Sequence, residues 1–350
     1  MQPNEASLPS LDPRQVIEQS GAEQLADMLA ATGYIIQRRI LIDLAHTLRS
    51  RKPWLIEGPR GGGKTALAEA LAKACNLATF YLQGMDELGL ADVLYSWDRE
   101  AQTQMVRQEL AAGLSLKEAQ GRQFTRDYLI LGEALAAFDY ASRSETVPIL
   151  IIDEADKLTE KIEDMLLQLL GRGWAHVPRL GDIGVRDRAH WPVVILLSND
   201  IRHDLSAPLR SRCLYSWLEP PTPREEVRIL RARVPEAKSE LLRSVAKLIN
   251  CIRRDMPAVR DKPGLRESID LLEGLARDGV QTLRAEVIDE YLCFLGKRQK
   301  ELMNLRQGIA RLEFAVHTAD REIDEWVEWA CGVQEAIDES GCEAVAVGAS

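Results

Sequence analysis

Apolar residues recur along this chain in three different rhythms. From 24 to 50 the spacing is helical: Leu25, Met28 and Leu29, then Ile35, Ile36, Ile40, Leu41, Leu44 and Leu48, with Gly33-Tyr34 separating two helices. Between 54 and 218 the rhythm changes to short runs. Trp54-Leu55-Ile56, Thr79-Phe80-Tyr81-Leu82, Ile149-Leu150-Ile151-Ile152, Val193 to Leu197 and Leu214 to Leu218 read as five strands, separated by helix-forming stretches. Uninterrupted aliphatic runs fit strands buried on both faces of a parallel sheet, so this part is expected to be an α/β core with a five-stranded parallel sheet. From Leu302 the rhythm is helical again. Leu305, Ile309, Leu312, Val316, Ala319, Ile323, Trp326, Ala330, Val333 and Ile337 follow at spacings of 3 and 4, which predicts a long amphipathic helix or helices capable of coiled-coil packing.

Composition shifts mark the boundaries. Residues 1–22, with Pro3, Pro9 and Pro13 among polar residues, are expected to be a flexible leader. The core domain then spans 23–220. It carries a mostly polar helical region, roughly Leu90 to Arg143 with a break near Gly113, that is longer than an αβ crossover needs. An insertion at about 84–132 is inferred. Short apolar pieces flanked by glycine and proline at 174–184 suggest an inserted β-hairpin. Glu219-Pro220-Pro221 ends the core, and helices over 224–231, 239–252, 265–277 and 283–295 make a small helical domain at 221–296. The acidic tail at 297–350 is expected to break near His317 to Asp320 and to fray over 341–350. Its stripe either folds back on the helical domain or forms a docking or oligomerisation arm anchored by Trp326 and Trp329.

Net charge sharpens the view of that tail. The 350 residues carry a formal charge of −10, and 46% apolar with 28% charged residues is ordinary for a soluble chain. Residues 301–350 hold eleven acidic and three basic side chains, so −8 of the −10 lies there. An acidic balance argues against coating nucleic acid and would select a basic partner. Six cysteines, at 75, 213, 251, 293, 331 and 342, form no C-x-x-C pair and no zinc spacing with the five histidines, which suits reduced thiols. With no apolar leader and no run of membrane-spanning length, the expected location is cytoplasmic.

The chemistry sits at strand ends. Trp54-Leu55-Ile56 runs into Gly58-Pro59-Arg60-Gly61-Gly62-Gly63-Lys64-Thr65 and then a helix-forming stretch from Ala66. Strand, glycine turn and helix form the phosphate-binding P-loop pattern. Glycines let backbone N–H groups converge on phosphate oxygens, and the helix N-terminus adds the positive end of its dipole. Lys64 reaches the β- and γ-phosphates, and Thr65 supplies a hydroxyl to Mg²⁺. The run Ile149 to Ile152 ends in Asp153-Glu154, a Walker B pattern in which Asp153 holds Mg²⁺ and Glu154 polarises the attacking water. Together the motifs predict hydrolysis of ATP rather than binding alone. The string D-E-A-D at 153–156 invites a helicase reading, but no second RecA-like domain fits the chain.

Beyond these, Asn199 lies just past the strand at 193–197, and Leu209-Arg210-Ser211-Arg212-Cys213 stands immediately before the last strand. The ordered set resembles the AAA+ ATPases. The hairpin insertion and the enlarged 84–132 segment look like the MoxR branch. Gly33-Tyr34-Ile35, the string W-D-R-E at 97–100 and R-C-L-Y-S-W at 212–217 are similar to accessory ATPases of carbon-monoxide dehydrogenase and related metalloenzymes. That resemblance implies that Asn199 is sensor 1 and that Arg212, with Arg210 as the fallback, is an arginine finger acting in trans. It places sensor 2 near Arg266, with Arg260 or a structural role still open. Tyr34 and Ile35 become candidate base contacts, or core residues. It also implies a homo-oligomeric ring, a hexamer in this family, and remodelling or metal-centre maturation of a client enzyme with a von Willebrand factor A-domain protein. No aromatic pore-loop string is present, which favours limited remodelling. A nucleic-acid motor or loader and a nucleotide-gated scaffold remain the alternatives.

Overall fold

The computed structural model describes residues 10–199 and 204–332. These divide into two compact units, one of residues up to 218 and one of residues from 219 onward, with Gly33–Ile35 and Arg60–Gly63 counted in the second. No helix among the described residues is long and apolar enough to cross a membrane.

The first unit is built on a five-stranded parallel sheet of β1 (Trp54–Glu57), β2 (Thr79–Gln83), β3 (Ile149–Asp153), β4 (Val193–Ser198) and β5 (Leu214–Trp217), in the spatial order β2-β3-β4-β1-β5. Side-chain burial follows that order. The interior strands β1 and β4 are buried throughout and β3 is buried up to Asp153, whereas the edge strands β2 and β5 expose Tyr81, Tyr215 and Trp217. Interior strands therefore read as unbroken aliphatic runs and edge strands as mixed ones. Parallel strands joined through helices bring their C-terminal ends to one edge, where loops collect functional side chains.

Helices Arg38–Ser50, Lys64–Ala74, Glu133–Arg143 and Glu160–Arg172 bury apolar stripes. In the first of these the stripe is Ile40, Leu41, Leu44, Ala45 and Leu48, one face of a 3.6-residue period. The leader departs from expectation. Pro13–Ala31 is helical, capped by Asp12 and kinked at Gly21. Ile17 is buried, and the buried Arg14 guanidinium donates to the carbonyls of Ala189, Trp191 and Pro192 at 3.2, 2.7 and 3.2 Å. Those carbonyls precede β4, so residues 10–22 form part of the first unit rather than a loose segment. Residues 1–9 lie outside the described residues.

The 84–132 segment is not purely helical either. Tyr95–Trp97 and Leu129–Leu131 pair antiparallel and bracket helices Arg99–Ala111 and Leu116–Arg122. Strands of three residues are too short to carry a period of two, and their pairing is visible only in three dimensions. The bracket is tied down by Asp139, 1% exposed, which accepts from both Arg126 and Arg143. Trp174–Val177 and Gly181–Gly184 form the expected hairpin, with Trp174 opposite Gly184.

The second unit is helical: Pro223–Arg233, Ser239–Asp255, Leu265–Arg277, Ala285–Leu295, Gln299–Gln307, Ile309–His317 and residues 321–332. The tail is three short helices, interrupted at 318–320, where a break was expected, and also at Gly308, where none was. Leu305, Leu312, Val316, Ile323, Val327 and Ala330 belong to the unit's own core, packed with Leu242, Val245 and Leu275. The docking-arm and coiled-coil readings give way here, because the stripe that either would use is already buried. Asp324 forms ion pairs with Arg243 at 2.9 Å and with the buried Lys247 at 3.1 Å. Trp326 packs on the core, and Arg224 and Arg228 lie over the Trp329 ring at 4.4 and 5.5 Å, so neither tryptophan stands out as an anchor. Val333, Ile337 and 341–350 fall outside the described residues.

Candidate functional site

Two glycines in the turn after β1 adopt the left-handed conformation, Gly61 at φ 74° and Gly63 at φ 89°. Only glycine enters that region without strain, so the sequence can turn its amides here and almost no other sequence could. Tyr34 lies within ordinary contact of Gly63, its ring 3.8 Å from where a Cβ would sit, and burial raises its phenol pKa. Ile35 beside it is half-buried. Gly58, Pro59, Arg60 and Gly62 complete the turn, and Ala66 lies in the first turn of the helix that follows.

Lys64 opens helix Lys64–Ala74 and is buried, 6% exposed. Its Nζ donates to the carbonyls of Gly58 and Pro59, each at 2.9 Å. A buried ammonium at a helix N-terminus is a costly arrangement whose natural complement is an anion. Thr65 turns its hydroxyl the other way and donates to Asp153 Oδ2 at 2.9 Å. That bond joins the two motifs, 88 residues apart, across the intervening β4.

Asp153 closes β3 and accepts three hydrogen bonds. Oδ2 takes Thr65 and the Tyr81 hydroxyl, the latter at 2.7 Å, while Oδ1 takes the Glu154 amide at 2.7 Å. Glu154 is held in the left-handed region at φ 50° and ψ 45°, a sparsely populated conformation for a residue with a Cβ. Its Oε2 accepts from Gln83 Nε2 at 2.6 Å and is paired with Lys157. Gly84 is needed against this corner, since a Cβ there would fall 2.2 Å from the Glu154 carbonyl.

Tyr81, Gln83 and Lys157 were not anticipated as site residues. Tyr81 and Gln83 are two apart on β2 and so share a face, and Gln83 is in register with Asp153. Their polarity near the end of an edge strand was a visible signal, but its meaning depends on β2 lying next to β3. Desolvation first, then the hydrogen bond to Asp153, pushes the Tyr81 phenol above its ordinary pKa, so it remains a donor at neutral pH.

Asn199 follows β4. Its amide donates to the buried Asp156 at 3.2 Å, and the Ser206 amide is taken by the buried Glu163 at 2.8 Å. Asn199 and Ser206 are thereby tied to two successive elements after β3, Ala155–Lys157 and Glu160–Arg172; residues 200–203 lie outside the described ones. Arg210 and Arg212 are exposed on helix Ala207–Arg212 and make local contacts, Arg210 with Asp204 at 3.5 Å and Arg212 with the Pro208 carbonyl at 3.3 Å. Within this chain they are not brought to Asp153. Arg266 is the second residue of helix Leu265–Arg277 and is exposed, as is Arg260.

The oxygen donors of Thr65 and Asp153 suit Mg²⁺, a hard cation that prefers carboxylate, hydroxyl and water. The glycine turn and Lys64 suit a phosphate chain.

Residues 53–213 match the family model of the AAA domain (dynein-related subfamily). The fold is that of the AAA+ ATPases, an α/β P-loop core followed by many helices, and such a domain implies nucleotide binding. Among solved structures, a mutant of RuvB from Thermogota maritima is similar at 18% identity and a TM-score of 0.42, covering 77% of this chain and 72% of that one. None of the curated proteins matches.

Proposed function

We propose that this protein is an Mg²⁺-dependent ATPase of MoxR type that works as a homo-oligomeric ring. Its AAA domain would remodel a partner enzyme, or mature its metal centre, together with a von Willebrand factor A-domain protein. The observation that carries the ATPase reading is the Thr65–Asp153 hydrogen bond, with Lys64 and Glu154 directly beside the two partners in sequence. Bound Mg²⁺ would neutralise charge on the β- and γ-phosphate oxygens.

The roles follow from position. Gly58 to Gly63, with Ala66, would cradle the phosphates, and Lys64 would exchange its two carbonyl acceptors for phosphate oxygens. Thr65 and Asp153 would hold the metal. Glu154 would orient the lytic water after giving up one of its present partners, Gln83 or Lys157. Asn199 would act as sensor 1 and Arg212, or Arg210, would reach the γ-phosphate of a neighbouring subunit. Tyr34 and Ile35 are proposed base contacts, and Arg266 is the proposed sensor 2. The MoxR assignment and the partner rest on the sequence resemblance.

Substituting Glu154→Gln should leave nucleotide affinity within about twofold and slow hydrolysis by about 100-fold or more, the lower end of what one general base contributes. Unimpaired turnover would refute the role of Glu154. A pull-down with this trapped variant in ATP should recover an A-domain protein or a metalloenzyme subunit.

One observation favours the nucleic-acid alternative. On and beside the inserted hairpin, arginines lie over aromatic rings: Arg186 over Trp174 at 4.5 Å, Arg179 over Phe124 at 4.2 Å and Arg188 over Trp191 at 4.9 Å. Stimulation of ATPase activity by DNA or RNA would promote that reading over the maturation role.

A further inference from the structure

Tyr81 is not one of the side chains packed in the apolar core beside β2 and β3. It lies on the edge strand β2 and is 39% exposed, yet its hydroxyl reaches Asp153 Oδ2 at 2.7 Å. The other acceptor in reach is Gln83 Oε1 at 3.3 Å. A phenol has one proton, and the shorter contact to an ionised acceptor is the stronger. The phenol therefore donates to Asp153 Oδ2.

A carboxylate offers about four lone-pair positions. Three on Asp153 are filled by donors from three separate elements: Thr65 on the helix after the glycine turn, Tyr81 on β2, and the amide of Glu154. The position left over is on Oδ1. The terminal torsion of an aspartate is broad and nearly two-fold, so one hydroxyl donor would leave the carboxylate plane free to swing. Two hydroxyls on the same oxygen, approaching from the helix and from β2, fix it.

We infer that Tyr81 is a positioning residue for the metal: by pinning Oδ2 of Asp153 together with Thr65, it presents Oδ1 to Mg²⁺ or to a water of its hydration shell. This rests on the ATPase reading above. Tyr81 need not touch nucleotide, and its effect is confined to the metal step.

The test is equilibrium binding of a fluorescent, non-hydrolysable ATP analogue to the full chain, first in EDTA and then along a MgCl₂ titration, with wild type and Tyr81→Phe. The variant keeps the ring and removes one exposed hydroxyl, so its melting temperature should match wild type. Affinity in EDTA should stay within about twofold, while the Mg²⁺ concentration at half-effect rises about three- to tenfold, the loss of one charge-assisted hydrogen bond passed on in part to the metal. An unchanged or lower Mg²⁺ requirement would overturn the inference, as would an equal loss of affinity in EDTA, which would make Tyr81 a packing residue. Wild-type protein that bound no nucleotide under either condition would overturn the ATPase reading and the inference with it.

Discussion

Strand β3 and the tail after Leu302 are the two most regular apolar patterns in the chain, and they behave differently. In β3 the pattern carries its chemistry with it. Four buried aliphatics place Asp153 at the C-terminal end of an interior strand, and the sheet delivers that end to the edge where Thr65 waits. In the tail, spacings of 3 and 4 define a face but not what the face meets. The structure turns it inward, in three pieces, onto the helices that precede it. A strand's environment is set by backbone hydrogen bonding with a few possible neighbours, whereas an amphipathic helix accepts any apolar surface of the right shape.

The strongest way to break this contrast is at the strand-end site. Lys64→Ala removes a buried cation from the glycine turn, and ATP affinity should fall 100-fold or more, about 2.8 kcal/mol at 1.4 kcal/mol per decade. Calorimetric titration checks it, and retained affinity would detach the P-loop from nucleotide binding. Next comes the tail. Val327 is fully buried in the helical unit, so Val327→Asp should destabilise that unit by about 3 kcal/mol or more through an unpaired buried charge. Hydrogen exchange should accelerate across 299–332 while β3 stays protected; a silent substitution would restore the free-arm reading.

Asp324→Ala is a gentler probe of the same packing. It strips Lys247, 7% exposed, of its carboxylate partner and should cost about 1–3 kcal/mol in urea melts. The smallest effect is chemical. Burial pushes the thiols of Cys75 and Cys213 up to about 12, and Cys293 is exposed, so a maleimide should label Cys293 first and leave the other two until unfolding. Early labelling of Cys75 would show that the N-terminal segment, whose Leu11 amide bonds its carbonyl, opens readily.

Particular residues show where sequence reading worked and where it stopped. Helix Leu265–Arg277 and the hairpin at 174–184 were legible to the residue or nearly so, because Gly264 and Arg277 bound the first and glycine and proline bound the second. The small strands at 95–97 and 129–131 were not, since each is meaningless without the other. Arg14 stood in a proline-bearing polar stretch and gave no hint that it would be buried against three carbonyls. Tyr81 and Gln83 were visible as polar residues on a strand, but nothing local said that the strand beside them would be β3 and not β1.

The sequence by itself determined the glycine turn and the strand-end acids on which the proposed nucleotide chemistry rests. A left-handed turn demands Gly61 and Gly63, Lys64 opens the helix directly after it, and a strand of four aliphatics that ends in Asp153-Glu154 suits an interior strand of a parallel sheet. These are local constraints, written in neighbouring residues. Tertiary structure alone decided that Tyr81 and Gln83 bear on the two acids, that the leader belongs to the first unit, and that the tail's apolar face closes on its own unit. Each of those is a choice between partners far apart in the chain, and the free energy that makes it comes from desolvating surfaces that exist only once both partners have folded.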